Sequence, residues 1–173
     1  MHKILISACL LGERVRYDGK HSLIHSDVLQ AWEQQGRLIM LCPEVAGGLP
    51  IPRPPAEIAA GDAKAIINGE GAIRRKDGSD VTEAFMAGAE MALALCMQHD
   101  IRVAILKEGS PSCGVNRVND GSFSGTKIRG LGVTACLLAQ HGIAVFSEFQ
   151  IKEAKAALNA RTVSDGNTLV MQK

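Results

Sequence analysis

Five cysteines lie among the 173 residues of the chain, and their neighbours sort them into two kinds. Cys9, Cys42 and Cys113 each come at or just after the end of a short apolar run and close to glycine or proline, in Cys9-Leu10-Leu11-Gly12, Cys42-Pro43-Glu44 and Ser110-Pro111-Ser112-Cys113-Gly114. Cys96 falls at the helical spacing of Phe85, Ala89 and Leu93, and Cys136 sits between Ala135 and Leu137 in another apolar stretch. A reduced cysteine on an apolar helical stripe behaves as a small hydrophobe, which assigns Cys96 and Cys136 to the core.

Three thiolates gathered at one place support two kinds of metal chemistry. They could hold zinc with an open fourth position, or three irons of a [4Fe–4S] cluster whose remaining iron is free to act as a Lewis acid. Dozens of residues separate the three cysteines, which matches no short zinc signature. The plain alternative is three unrelated small residues near loops. A phosphatase-type nucleophilic cysteine is a rival, but that chemistry wants an arginine where Val15 stands, between Arg14 and Arg16, and Arg117 follows Cys113 too closely.

Bringing the thiols together is the work of a sheet. Four short, β-branched apolar runs predict buried strands: Ile4 to Ala8, Leu38 to Leu41, Val103 to Leu106 and Ile143 to Phe146. Helical patterns alternate with them. Ser26 and Asp27 can cap a helix through Leu29 and Trp32 to Gly36. Asp80 with Glu83 resembles a capping box opening a long helix to His99, and Val133 to His141 forms a third, stopped by Gly142. The alternation implies crossover connections, and so a single compact α/β domain with a mainly parallel, Rossmann-like sheet flanked by helices. Cys9 and Cys42 then follow strands directly and Cys113 lies in the loop after a third, at the end of the sheet where such folds bind ligands.

Five of the six prolines fall between Pro43 and Asp80, marking an ordered Pro/Gly-rich loop insertion suited to walling a site. Within it a small hairpin is expected around Ile66-Ile67 and Ala72-Ile73, turning at Asn68-Gly69. Residues from Ile151 onward predict a terminal helix and a polar tail.

Composition excludes other classes. Nineteen Lys plus Arg against 18 Asp plus Glu give a net charge of +1, which argues against a surface that grips a nucleic-acid polymer. One Trp, one Tyr and four Phe are too few for serial stacking platforms. An apolar share of 46% argues against disorder. No apolar run approaches the ~20 residues that span a bilayer, and the stretch from Met1 to Cys9 lacks the long apolar core of a secretory signal. A cytoplasmic protein with reduced thiols is expected.

The segments around the cysteines also carry a family pattern. Ile-Ser-Ala-Cys-Leu-Leu-Gly-Glu-Arg-Val-Arg-Tyr-Asp-Gly (Ile6 to Gly19), Cys-Pro-Glu-Val-Ala-Gly-Gly-Leu-Pro-Ile-Pro-Arg-Pro-Pro-Ala-Glu-Ile (Cys42 to Ile58) and Asp-Val-Thr-Glu-Ala-Phe (Asp80 to Phe85) are followed by Lys-Glu-Gly-Ser-Pro-Ser-Cys-Gly (Lys107 to Gly114), Asp120 to Gly125 and Gly132 to Ala135. In this order they resemble the thiouracil desulfidase family, formerly a domain of unknown function. The resemblance runs from about Lys3 to Glu148, so a desulfidase domain is expected over residues 1–149 and a helix and tail, to which nothing is carried, over 150–173.

The resemblance implies an enzyme that removes sulfur from thiolated pyrimidines (2-thiouracil, 4-thiouracil or 4-thiouridine monophosphate), leaving the oxo base and hydrogen sulfide without net redox change. It also implies a [4Fe–4S] cluster on Cys9, Cys42 and Cys113 with one open iron. Addition of water at the ring carbon needs a proton acceptor, for which Glu44 is the candidate; its plain alternative is pairing with Arg53 to brace the loop. Ser110, and after it Ser112, are candidates to orient water or a ring nitrogen, although serines beside a turn proline also bond the backbone. Tyr17 and Asp18 are expected to line the pocket, with Asp18-Gly19 equally suited to a simple turn. Arg16, Arg53 and Lys107 are candidates for a nucleotide phosphate. His21, His25 and His141 show no ligand spacing. The expected partner is a small thiolated base or nucleotide, with no nucleic-acid polymer and no membrane, and a monomer or homodimer fits equally. The other reading is a non-catalytic iron–sulfur or zinc protein that senses or stores sulfur or iron.

Overall fold

The computed structural model describes residues 1–170, with side chains to position 163. In chain order its elements are β1 (Ile4–Ser7), α1 (Asp27–Gln34), β2 (Leu38–Leu41), α2 (Pro43–Ala46), β3 (Ala56–Ile58), α3 (Ala63–Ile67), β4 (Ile73–Arg75), α4 (Thr82–Gln98), β5 (Val103–Leu106), β6 (Arg117–Asn119), β7 (Lys127–Arg129), α5 (Val133–Gln140), β8 (Ala144–Ser147) and α6 (Ile151–Val170). The expected α/β architecture is present. Four strands form one parallel sheet in the order β2-β1-β5-β8, with Leu5 opposite both Ile39 and Ala104 and Ala104 opposite Val145.

Every residue of the two central strands is buried, because helices cover both faces. Side chains alternate across the strands. Ile4, Ile6, Val103 and Ile105 point to a layer that holds Leu29 and Trp32 of α1 with Ala154 and Leu158 of α6. Leu5, Ala104 and Leu106 point to the other layer, against Ala92 and Cys96 of α4 and Ala135 and Leu138 of α5. The first turns of α6 therefore belong to the core, while residues 171–173, the end of the expected tail, lie outside the described residues. Among the described residues no helix is long and apolar enough to cross a membrane.

Three local expectations are corrected. Ile66 and Ile67 are helical, in α3, and Ile73 pairs with Ile58 across the antiparallel β3–β4 pair. Asp62 accepts from the N–H groups of Lys64 and Ala65 and so starts a helix that buries Ala63 and Ile66; Asn68-Gly69 ends that helix, with Gly69 at φ +78, instead of turning a hairpin. The expected capping box at Asp80 is also absent. Val81 is the cap residue and has no side-chain bond, because Asp80 accepts from Thr82 N–H at 2.8 Å and Thr82 Oγ1 accepts from Ile73 N–H. The last sheet strand begins one residue later than expected, at Ala144.

Two glycines set how closely α2 meets α4. A Cβ on Gly88 would lie 1.9 Å from the carbonyl oxygen of Pro43, and one on Gly47 would lie 2.0 Å from that of Ala84. The backbones touch where no side chain intervenes, which fixes the short helix that follows Cys42.

Candidate functional site

Beyond the carboxyl ends of β1, β2 and β5 lies a cavity of about 510 Å³ whose lining includes Cys9, Cys42 and Cys113. Each thiol is held by a different local device. Cys9 lies in a single 3₁₀ turn, Ala8–Leu11, ended by Gly12 at φ 98. Cys42 occupies the cap position of α2, with Pro43 in its first turn. Cys113 sits in a loop docked on the start of α5, where Val133 N–H donates to Pro111 O and Thr134 N–H to Ser112 O, both at 2.9 Å. The loop carbonyls thus take helix N–H groups that would otherwise lack partners. Gly132 permits this approach, since a Cβ there would lie 2.4 Å from Ser112 O.

Burial pushes the Cys9 thiol up to about 11, and the neighbouring charge of Cys42 adds to the effect. Cys42 is raised by burial as well. Cys113 is pushed up to about 12, foremost by burial; hydrogen bonds from Ser7 and Ser112 oppose the rise, and the charges of Cys42 and Cys9 add to it. The three thiols are thus held neutral, chiefly by burial and for Cys9 and Cys113 also by neighbouring sulfur, unless a cation joins them. Among the described residues no three His, Cys, Asp or Glu side chains are set closely enough to hold a single metal ion. Sulfurs spread round a cavity suit a group in which each binds a different metal, and an all-thiol donor set is the usual cradle of iron–sulfur clusters. The residues present fit such a group.

Beside the thiols runs a directional hydrogen-bond chain. Ser110 Oγ accepts from the backbone N–H of Ser112 at 3.1 Å and of Cys113 at 3.0 Å. With both lone pairs engaged, its own hydroxyl hydrogen is left to donate to Ser112 Oγ, 2.9 Å away. Ser112, only 1% exposed, then has one hydrogen for two acceptors, Glu44 Oε2 at 3.2 Å and Cys113 Sγ at 3.6 Å. The shorter, charge-assisted bond to Glu44 is the stronger. Ser110 also carries the backbone-bonding role that a turn proline favours, whereas the Ser112 hydroxyl bonds side chains.

The other expected site residues divide. Arg53 is 6% exposed and fully engaged: Nε donates to Glu44 Oε1 at 3.4 Å, Nη1 to Pro50 O and Nη2 to Val15 O. It orients Glu44 and braces the Pro-rich loop. Lys107 lines the cavity, but its ammonium donates to Glu148 Oε1 at 2.7 Å and to Glu108 O. Tyr17 lines the mouth, with the Arg16 guanidinium 5.8 Å from its ring centre. Asp18 is not brought to the cavity and accepts from Lys20 N–H in a turn.

Several residues escape sequence reasoning. Ser7, the buried last residue of β1, donates to Cys113 and accepts from Lys107 N–H. Glu108 accepts from the N–H groups of Val115, Asn116 and Arg117 and so ties the Cys113 loop to β6. Burial alone would raise its carboxyl; those bonds outweigh that and hold it below the usual range. Glu148 grips Lys107 Nζ and Glu108 N–H, and Phe149, 78% exposed, stands at the mouth. Glu108 is visible in the Lys107 to Gly114 block; Glu148 and Phe149 carry no signal beyond following a strand.

Comparison with known proteins returns one consistent group. Residues 4–150 match the family described as 2-thiouracil desulfurase. The uncharacterized protein YbbK of Bacillus subtilis (strain 168) is 43% identical over 150 residues, which cover 87% of this chain and 98% of that protein. A solved structure of the [4Fe-4S]-dependent thiouracil desulfidase TudS is 49% identical, with a TM-score of 0.85 over 92% of this chain and 99% of that one.

Proposed function

The chain belongs to the 2-thiouracil desulfurase family, and from that premise we propose that it is a [4Fe–4S]-dependent, non-redox desulfidase of thiolated pyrimidines. The observation that carries this reading is the meeting, in one cavity, of three thiols from separate strand ends with the Glu44–Ser112–Ser110 chain. Cys9, Cys42 and Cys113 hold the cluster. When bound, it supplies a Lewis-acidic iron with no protein ligand, which polarises the C–S bond of a thiocarbonyl and stabilises the departing sulfide.

The chain's own residues manage water and protons. Glu44 is the base that takes a proton from the water adding at the ring carbon, and 2-thiouracil, 4-thiouracil and 4-thiouridine monophosphate all present such a carbon. Arg53 holds one carboxylate oxygen, which leaves Oε2 to face Ser112. Ser110 donates to Ser112 and Ser112 to Glu44 Oε2, so the serine pair holds the carboxylate in place to take the water's proton directly. Returning that proton to the ring nitrogen or to sulfide completes hydrolysis to the oxo base and hydrogen sulfide without an external electron donor.

Anaerobic purification or reconstitution followed by iron and acid-labile sulfide analysis tests the cofactor, with about four of each expected per chain. Incubation with excess thiopyrimidine and no reductant should give oxo base and sulfide in equal, many-turnover amounts. Protein that takes up no cluster, or that releases sulfide only with added reductant, contradicts the reading.

A further inference from the structure

Ser7 is the one polar residue of β1, which reads Ile4-Leu5-Ile6-Ser7, and it is only 3% exposed. Alternation along the strand decides which way it faces. Ile4 and Ile6 pack in the layer of α1 and α6, which leaves Leu5 and Ser7 to the layer of α4 and α5. Cys113 packs in that second layer and Cys9 in the first. A hydroxyl buried where the strand otherwise carries aliphatic side chains is costly unless its oxygen and its hydrogen both find partners.

The backbone pairing of β1 with β5 runs through Leu5–Ala104 and Ile6–Ile105 and stops there. A side-chain bond takes over, in which Lys107 N–H donates to Ser7 Oγ at 3.0 Å. The place matters, because the chain passes from β1 to β2 on one side and to β5 on the other, and the crevice at such a reversal is where open α/β sheets bind ligands. With the Ser7 oxygen engaged by Lys107 N–H, its hydrogen is left for the sulfur of Cys113. Ser112 is the other hydroxyl beside that sulfur, at 3.6 Å, but Glu44 draws its hydrogen at 3.2 Å. Ser7 bonds no carboxylate among the described residues. Cys42 has different company, the backbone N–H groups of Val45 and Glu44.

We propose that Ser7 is a positioning residue of the desulfidase centre: its hydroxyl fixes the Cys113 sulfur in one orientation and withdraws charge from it. The proposal rests on the desulfidase reading for the cluster and adds the group that tunes it from within the sheet. A donor to a ligating sulfur stabilises the more electron-rich state, so it raises the reduction potential of a cluster bound there. The same withdrawal makes the open iron a stronger acceptor for a thiocarbonyl sulfur. Ser7 acts only through Cys113, on the side of the thiols away from the Glu44–Ser112–Ser110 chain's proton work.

The test compares cluster-loaded wild type with Ser7→Ala, Ser7→Thr and Ser112→Ala under anaerobic conditions. Spectroelectrochemical titration should place the reduction potential of Ser7→Ala below that of wild type, with Ser7→Thr close to wild type and Ser112→Ala shifted less than Ser7→Ala. Iron content of Ser7→Ala should match wild type, because Ser110 still holds the Cys113 loop. Its kcat on 4-thiouracil should fall about tenfold with KM unchanged, the low end of what a partner of a metal ligand is worth. An unchanged potential in Ser7→Ala, a fall in kcat without a shift in potential, or a Ser7→Thr variant no better than Ser7→Ala overturns the proposal. A second measurement needs no variant to fold: the Fe–S(Cys) stretching bands of wild type, read by resonance Raman, should shift when the protein is reconstituted in D2O, and bands that do not move overturn a hydroxyl donor. Wild type that takes up no cluster would overturn the desulfidase reading and this role with it; wild type that loads and turns over beside a Ser7→Ala of equal potential would overturn Ser7 alone.

Discussion

Two groups of thiols in this protein share a chemical state and differ in company. In the helical layer, burial alone pushes Cys96 up to about 12, and its surroundings are apolar residues of α4, α5 and the sheet. At the strand ends, burial pushes Cys113 up to about 12 as well, but there Cys113 also feels the charges of Cys42 and Cys9 and receives serine hydroxyls, and Cys9 feels that of Cys42. Burial and acidity therefore do not separate a ligand from a core residue. What separates them is whether a second and third sulfur are near enough to raise one another, which is a site asking for a cation.

The comparison breaks most sharply at the cysteines. Cys42→Ala is expected to lose the cluster, read as loss of bound iron and of visible absorption. Cys96→Ala should keep both and lose about 1 kcal/mol of stability, a fall in Tm of about 2–4 °C. Iron retained in the first variant, or lost in the second, erases the distinction.

Next comes Glu44, which separates holding the cluster from using it. Glu44→Gln should lower kcat by ~10²–10⁴, the usual worth of general base catalysis, while the cluster spectrum stays that of wild type. An unchanged rate would return Glu44 to its structural role beside Arg53.

Gly88 joins the two regions, because it belongs to the helical layer and touches the carbonyl after Cys42. Gly88→Ala should cost about 1–3 kcal/mol by overpacking and lower iron retention as Pro43 shifts, an effect the milder Cys96→Ala does not have. Thermal melts with iron analysis on the same samples read both.

The smallest effect concerns Glu108. Its folded carboxyl is held below the ordinary value, so it stabilises the fold fully above that value, and the contribution is lost as pH falls through the depressed one. Acid titration below about pH 4.5 should therefore show wild type losing stability more steeply than Glu108→Gln. Parallel curves would remove Glu108 from the account of how the Cys113 loop is held.

The sheet was legible in the sequence because its strands are buried on both faces and read as unbroken apolar runs, as in Ile4 to Ser7 and Val103 to Leu106. The convergence of Cys9, Cys42 and Cys113 on one cavity followed from placing them after such strands. The short elements were not legible. Asn68-Gly69 is a hairpin signal by itself, and only the cap at Asp62 makes it a helix stop. The β6–β7 hairpin has one inward residue per strand, Val118 and Ile128, too few for an alternating pattern to register. Partners also hid roles. Lys107 and Arg53 are available cations in sequence, and only the fold brings Glu148 and Glu44 to occupy them.

One measurement reaches the central claim directly: hydrogen sulfide released per chain by cluster-loaded protein under anaerobic excess of 4-thiouracil, with Cys42→Ala beside it. Wild type is predicted to release sulfide in large excess over enzyme, matched by uracil, and Cys42→Ala none. One equivalent or less from wild type, or equal release from the variant, would contradict a cluster on the strand-end thiols as the seat of desulfidation.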